Sequence, residues 1–155
     1  MAATKFPARL LGIQIDTAYG TTGSPDWVAV GGLVTLTHSP KSASADTSDF
    51  DSAGRSEHMV MERGDEWSLS GFAIVDDSTG EPDVGQAACE ALGLGVGRAS
   101  LGRFKMVLKA DDDDSSPADV ASYLASIEVT KAGGGHNDAA KWSAKVTVSG
   151  EVTPA

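Results

Sequence analysis

The chain has 155 residues, with a formal net charge of −10 and 41% hydrophobic residues. It is one domain's worth of chain with enough apolar residues for a core. Its acidity excludes a surface that grips duplex phosphates or anionic membrane, because both need unpaired Lys and Arg. The single cysteine, Cys89, excludes an internal disulfide framework.

In chain order, residues 1–25 read as an N-terminal arm, with a short strand over Ala8–Ile15 and a Gly, Ser and Thr loop over Thr17–Pro25. No secretory h-region follows Lys5 and Arg9, and no run approaches the ~18 apolar residues of a membrane span. Trp27–Val30 reads as the first core strand. Gly31 and Gly32 mark a bulge or sharp bend, and Leu33–Thr37 resumes the strand. Ser39–Ser48 has the composition of a long loop, of the kind that is usually functional or disordered in a compact domain.

Asp46–Gly71 is the stretch around which the chain is organised. It opens on Asp46, Asp49 and Asp51, turns at Gly54 and enters an apolar run at His58–Met61. Arg63-Gly64-Asp65 reads as a break, after which Trp67 and Leu69 alternate with Glu66 and Ser68. The expectation is a polar loop feeding an antiparallel hairpin. Asp76–Gly80 is a turn. One helix follows, with Pro82 in its first turn, Val84, Ala87, Ala88, Ala91 and Leu92 on its apolar face, and Gly93 at its end.

Three strands complete the domain, over Arg103–Lys109, Ala121–Lys131 and Lys141–Gly150. In each, apolar and polar residues alternate, with Phe104, Met106, Tyr123, Ile127, Trp142 and Val146 in the apolar phase. The pattern predicts a mainly β fold, an antiparallel β-sandwich with one flanking α-helix. The sandwich spans residues 26–150, and residues 151–155 form a short C-terminal tail.

Catalytic and metal motifs fail on spacing. Asp111–Asp114 lacks the Gly and Glu of a calcium loop, with Ser116 and Ser122 in their places. Gly93, Gly95 and Gly97 follow a helix instead of a strand, unlike a dinucleotide loop. His38, His58 and His136 have no partner at ligand spacing. No cofactor, metal or nucleophile is nominated, and the chain is not expected to be an enzyme. Charge is more informative. Residues 45–85 hold eleven acids against Arg55 and Arg63, whereas residues 86–110 hold four bases against Glu90. Separated poles suit head-to-tail contacts between copies.

Four features in order carry a resemblance: Trp27-Val-Ala-Val-Gly-Gly, the Asp46-Thr-Ser-Asp-Phe-Asp-Ser-Ala-Gly loop running into Glu66–Gly71, the mid-chain helix, and the ending Ala125–Lys131, Gly133-Gly134-Gly135, Trp142–Gly150. Over residues 27–150 the chain resembles the major tail (tail tube) proteins of long-tailed double-stranded DNA phages. The resemblance implies hexameric rings stacked into a tube through which the genome passes without specific binding, in a virion tail assembled in the host cytoplasm. Implied partners are further copies and the tape measure, tail terminator and tail-tip proteins, with no membrane. It also implies contacts between subunits or rings, placed by position at Asp46, Asp49, Phe50, Asp51, Arg55, Glu57 and Arg63. Alternatives are the tube protein of a related contractile or secretion machine, and a capsid-decorating or carbohydrate-binding β-sandwich module.

Overall fold

The computed structural model describes residues 8–21, 23–48, 56, 58–111, 113–133, 135, 136, 138–150, 153 and 154. Among these are eight strands and one α-helix: β1 (Leu11–Asp16), β2 (Trp27–Ala29), β3 (Leu33–Asp46), β4 (His58–Phe72), α1 (Val84–Gly93), β5 (Leu101–Leu108), β6 (Ala118–Ala132), β7 (Lys141–Val148) and β8 (Thr153–Pro154). All pairings are antiparallel, in the order β2-β1-β5-β6-β7-β4-β3.

The sandwich has two leaves joined through β6. The first part of β6 pairs with β5, from Ala118 to Ser126, and the second with β7, from Ala125 to Ala132. The register puts every apolar phase on one face: Ile15 opposite Phe104, Phe104 opposite Tyr123, Ile127 opposite Val146, and Val146 opposite Trp67. Burying that common face requires the leaves to fold toward each other. Trp67 on β4 accordingly stacks with Tyr123 on β6, 6.4 Å between centroids, although the two strands are not neighbours in the sheet. Phe104, Trp142, Val146 and Ala125 are fully buried in the resulting core. A bulge between Met106 and Val107 turns both side chains inward.

α1 packs across β6, β1 and β2. It begins at Val84, two residues after the expected start, because Pro82 is held in a bridge with Val75 and the Asp83 carboxylate caps the Gln86 N–H at 3.0 Å. The buried face is also rotated from the expected one. Gly85, Gln86 and Cys89 are buried, whereas Val84 and Ala91 are exposed. Close approach comes from Gly85, where a Cβ would collide with the Ala29 carbonyl. Gln86 is the polar linchpin. Its amide donates to the Gly31 and Phe72 carbonyls, both at 2.9 Å, and accepts from the Ile74 N–H at 3.2 Å. It thereby holds the bend between β2 and β3, where Gly32 adopts φ +72.

Two of the strand expectations need correction. Ser39–Asp46 is not loop but the outer part of β3, paired residue by residue with β4. Arg63-Gly64-Asp65 does not break β4, which runs unbroken from His58 to Phe72. A ribbon exposed on both faces needs only backbone pairing, so composition is no guide to it. The short strand expected over Ala8–Ile15 is β1, with Ile13 and Ile15 in the core. At the other end, Thr153 and Pro154 pair with Ser122 and Ala121 on the edge of β6.

Candidate assembly surfaces

β7 covers only Glu66–Phe72 of β4, so the outer halves of β3 and β4 project as a two-stranded arm. Its root is built from side chains. Glu66 Oε2 accepts from Lys41 Nζ at 2.5 Å and Lys145 Nζ at 3.2 Å. Lys41's hydrogen bond, opposed by burial and reinforced by Lys145, holds the Glu66 carboxyl below the usual glutamate value. His38 bonds Asp65 at 2.6 Å and stacks on Trp67, 4.3 Å between centroids. A row of rings then continues through Tyr123 to Phe104, anchoring the arm's base in the core.

Beyond that root the arm has no core of its own. Met59, Val60 and Met61 are 58%, 46% and 65% exposed. Met61 is the extra residue of a bulge between the pairs Ser44–Val60 and Ala43–Glu62. Of the seven nominated contact residues, Asp46 and Arg63 lie on this arm, paired with His58 and Ser42 and about 13 Å apart along the strands. Asp46 accepts the Ser48 N–H at 2.9 Å, and its hydrogen bonds to Ser48 hold its carboxyl low. Asp49, Phe50, Asp51, Arg55 and Glu57 lie outside the described residues. The exposed Met59–Met61 strip was not nominated. Its apolar side chains within an acidic stretch were the available signal.

The second surface is the outer face of the β6-β7-β4-β3 leaf. Register aligns it in rows: Thr35, Ser70, Ser143 and Thr130; then Thr37, Ser68, Lys145 and Glu128; then Ser39, Glu66, Thr147 and Ser126. Nine of these twelve side chains are hydroxyls. Two lysines meet Glu66 on this face, Lys145 and Lys41. The face is thus a hydroxyl carpet whose inner cations are engaged, bounded at one end by Phe72 and Lys141.

Among the described residues, no three His, Cys, Asp or Glu side chains converge at metal-binding distance. Cys89 is fully enclosed. Burial, with Asp83 and Glu90 nearby, pushes its thiol up to about 12, so it stays protonated at neutral pH. In the turn after β5, the Asp111 carboxylate accepts the Asp113 N–H at 3.0 Å, and that of Asp114 accepts the Ala110 and Ser116 N–H groups, each at 2.9 Å. No helix among the described residues is long and apolar enough to cross a membrane.

No protein-family model matches the chain, and no curated protein matches it. Solved structures do. The chain is similar to a protein in the tail of an empty gene transfer agent particle refined with C6 symmetry, with TM-score 0.68, 17% identity, and coverage of 97% of this chain and 99% of that one. It is also similar to a chain of the SPP1 tail tube, with TM-score 0.63, 15% identity, and coverage of 97% and 80%. The tube-terminating cap of the anti-feeding prophage matches with TM-score 0.57, 10% identity, and coverage of 100% and 95%. This chain has the fold of tail tube proteins, with a mainly antiparallel sheet and one helix as the sequence led us to expect.

Proposed function

We propose that this chain is the tail tube subunit of a long-tailed phage or phage-like particle. Copies form hexameric rings, and the rings stack into a conduit for DNA. The observation that carries the reading is the fold match over 97% of the chain to a protein of a six-fold tail. The arm supports it, since it projects apolar side chains that its own chain leaves uncovered. The role is structural instead of catalytic. Its partners are other copies of itself and the tape measure, terminator and tail-tip proteins. Assembly takes place in the host cytoplasm, and the product resides in the virion tail.

The hydroxyl carpet is the face we assign to the bore. A conduit wall must present neither free cations to phosphates nor apolar patches, and these rows present hydroxyls with Lys145 paired. Size agrees: four strands at ~4.8 Å give ~19 Å per subunit, so six copies enclose a perimeter of ~115 Å and a diameter of ~37 Å, roomy for a duplex. The wall is then closer to neutral than the uniformly acidic lining that net charge suggests.

The anti-feeding prophage likeness supports a second reading, the tube of a related contractile or secretion machine. A decorating or sugar-binding module has less support, because Trp67, Tyr123 and Trp142 pack in or against the core. Sedimentation velocity at rising concentration, with preformed tail-tip complex added as a seed, tests the proposal. Particles growing in ring-sized steps agree with it. A monomer that stays a monomer on the seed contradicts it.

A further inference from the structure

The two most exposed large apolar side chains among the described residues, Leu94 at 85% and Val96 at 87%, lie in the connection between α1 and the short 3-10 helix Gly97–Ser100. Beside this corner is a cleft of about 360 Å³, walled by Ala88, Ala91 and Leu92 of α1, by Ala99, and by Tyr19 of the turn after β1. The small alanines leave room for a longer side chain to enter. The far wall is preformed. Asp16 is buried and accepts the Ala18 and Asp26 N–H groups at 3.0 and 2.9 Å, and Arg103 lies 5.2 Å over the Tyr19 ring. Arg98 also lines the cleft, and it makes no ion pair among the described residues, in a chain of net charge −10.

The arm offers the complement. Methionines are long and adaptable enough to fill an irregular apolar slot. Met59 and Met61 are exposed, and the acids Asp46 and Glu62 flank them against the nearby base Arg63. We propose that the arm of one copy seats its Met59–Met61 strip in the cleft between α1 and the Tyr19 turn of a second copy, with Arg98 meeting the arm's acids. The inference rests on the self-assembly proposed above and adds the acceptor site. The two surfaces are different parts of the chain, so the contact is head-to-tail and repeats from copy to copy. An apolar anchor supplies affinity, and the Arg98 pairing supplies orientation.

The test uses two singly substituted full-length proteins, Met61→Cys and Ala99→Cys, both at exposed positions. They are mixed, seeded with tail-tip complex and treated with a short bismaleimide. Native Cys89 is enclosed, and the unsubstituted protein serves as control. The expected result is a cross-linked dimer in the mixture and in neither protein alone. A second pair guards against unfavourable cross-linking geometry. Arg98→Glu should weaken association about tenfold, and Glu62→Arg in the partner copy should recover most of the loss. Tubes that form without cross-link and without rescue overturn this contact and leave the tube reading standing. Absence of any polymer on the seed overturns both.

Discussion

β7 and the outer half of β3 are both strands in one sheet, yet they are held for different reasons. In β7, Trp142, Ala144 and Val146 are buried while Lys141, Lys145 and Thr147 face solvent. Burial of one face dictates that register, because a slip of one residue would turn Trp142 to water. Over Lys41–Asp46 of β3 almost every side chain is exposed. There only the ladder to β4 and the root at Glu66, Asp65 and Trp67 hold the chain. β7 buries its apolar residues in the core of its own chain, whereas the arm leaves Met59, Val60 and Met61 exposed.

Substitutions can break that contrast at either end. Trp142→Ala, at a fully buried site, should cost about 3–5 kcal/mol by equilibrium denaturation and leave little folded protein. Gln86→Leu is near-isosteric but strands two backbone carbonyls and one N–H, so we expect a loss of about 3 kcal/mol by urea titration. Tyr123 sharpens the comparison from the other direction. Its hydroxyl is buried with no hydrogen-bond partner among the described residues, and burial raises its pKa. Tyr123→Phe should therefore keep the ring stack and stabilise the protein by up to about 1 kcal/mol in the same titration.

Acid probes the junction between the two regions. Glu66 has its pKa lowered from 4.5, chiefly by Lys41. A carboxylate with a depressed folded pKa contributes stability above its unfolded value and loses it as pH falls through the folded one. The arm root should thus loosen below pH 4.5 while the apolar core persists. Amide exchange by mass spectrometry should show faster exchange over 41–46 and 58–65 than over β7 at pH 4 relative to pH 6. Equal acceleration in both would contradict a separate root.

The same contrast explains what could be read from the residues. Alternation over Phe104–Leu108, Tyr123–Val129 and Trp142–Val148 is imposed by a half-buried sheet, so those strands and their core faces were legible. α1 was found to within two residues, but not its face, because Gly85 and Gln86 carry no apolar signal and are chosen by a close backbone and three hydrogen bonds. The outer arm has no buried face and hence no period, so serines, Pro40 and Gly64 read as loop. Asp46 and Arg63 were nominated by position alone, and both lie on the outer arm. The hydroxyl rows were present in the polar phase of each strand, yet their alignment into one surface needs the register between strands distant in sequence.

We propose that the exposed strip of the arm serves assembly while the buried core serves folding. This division is tested most directly by comparing the unsubstituted protein with a Met59→Ser, Val60→Ser, Met61→Asp triple variant in two assays, thermal melting of the monomer and negative-stain microscopy after seeding. The account predicts stabilities within about 0.5 kcal/mol of each other, as for exposed positions, with hollow tubes from the unsubstituted protein alone. Tubes from the variant, or a monomer that melts well below the parent, would contradict it.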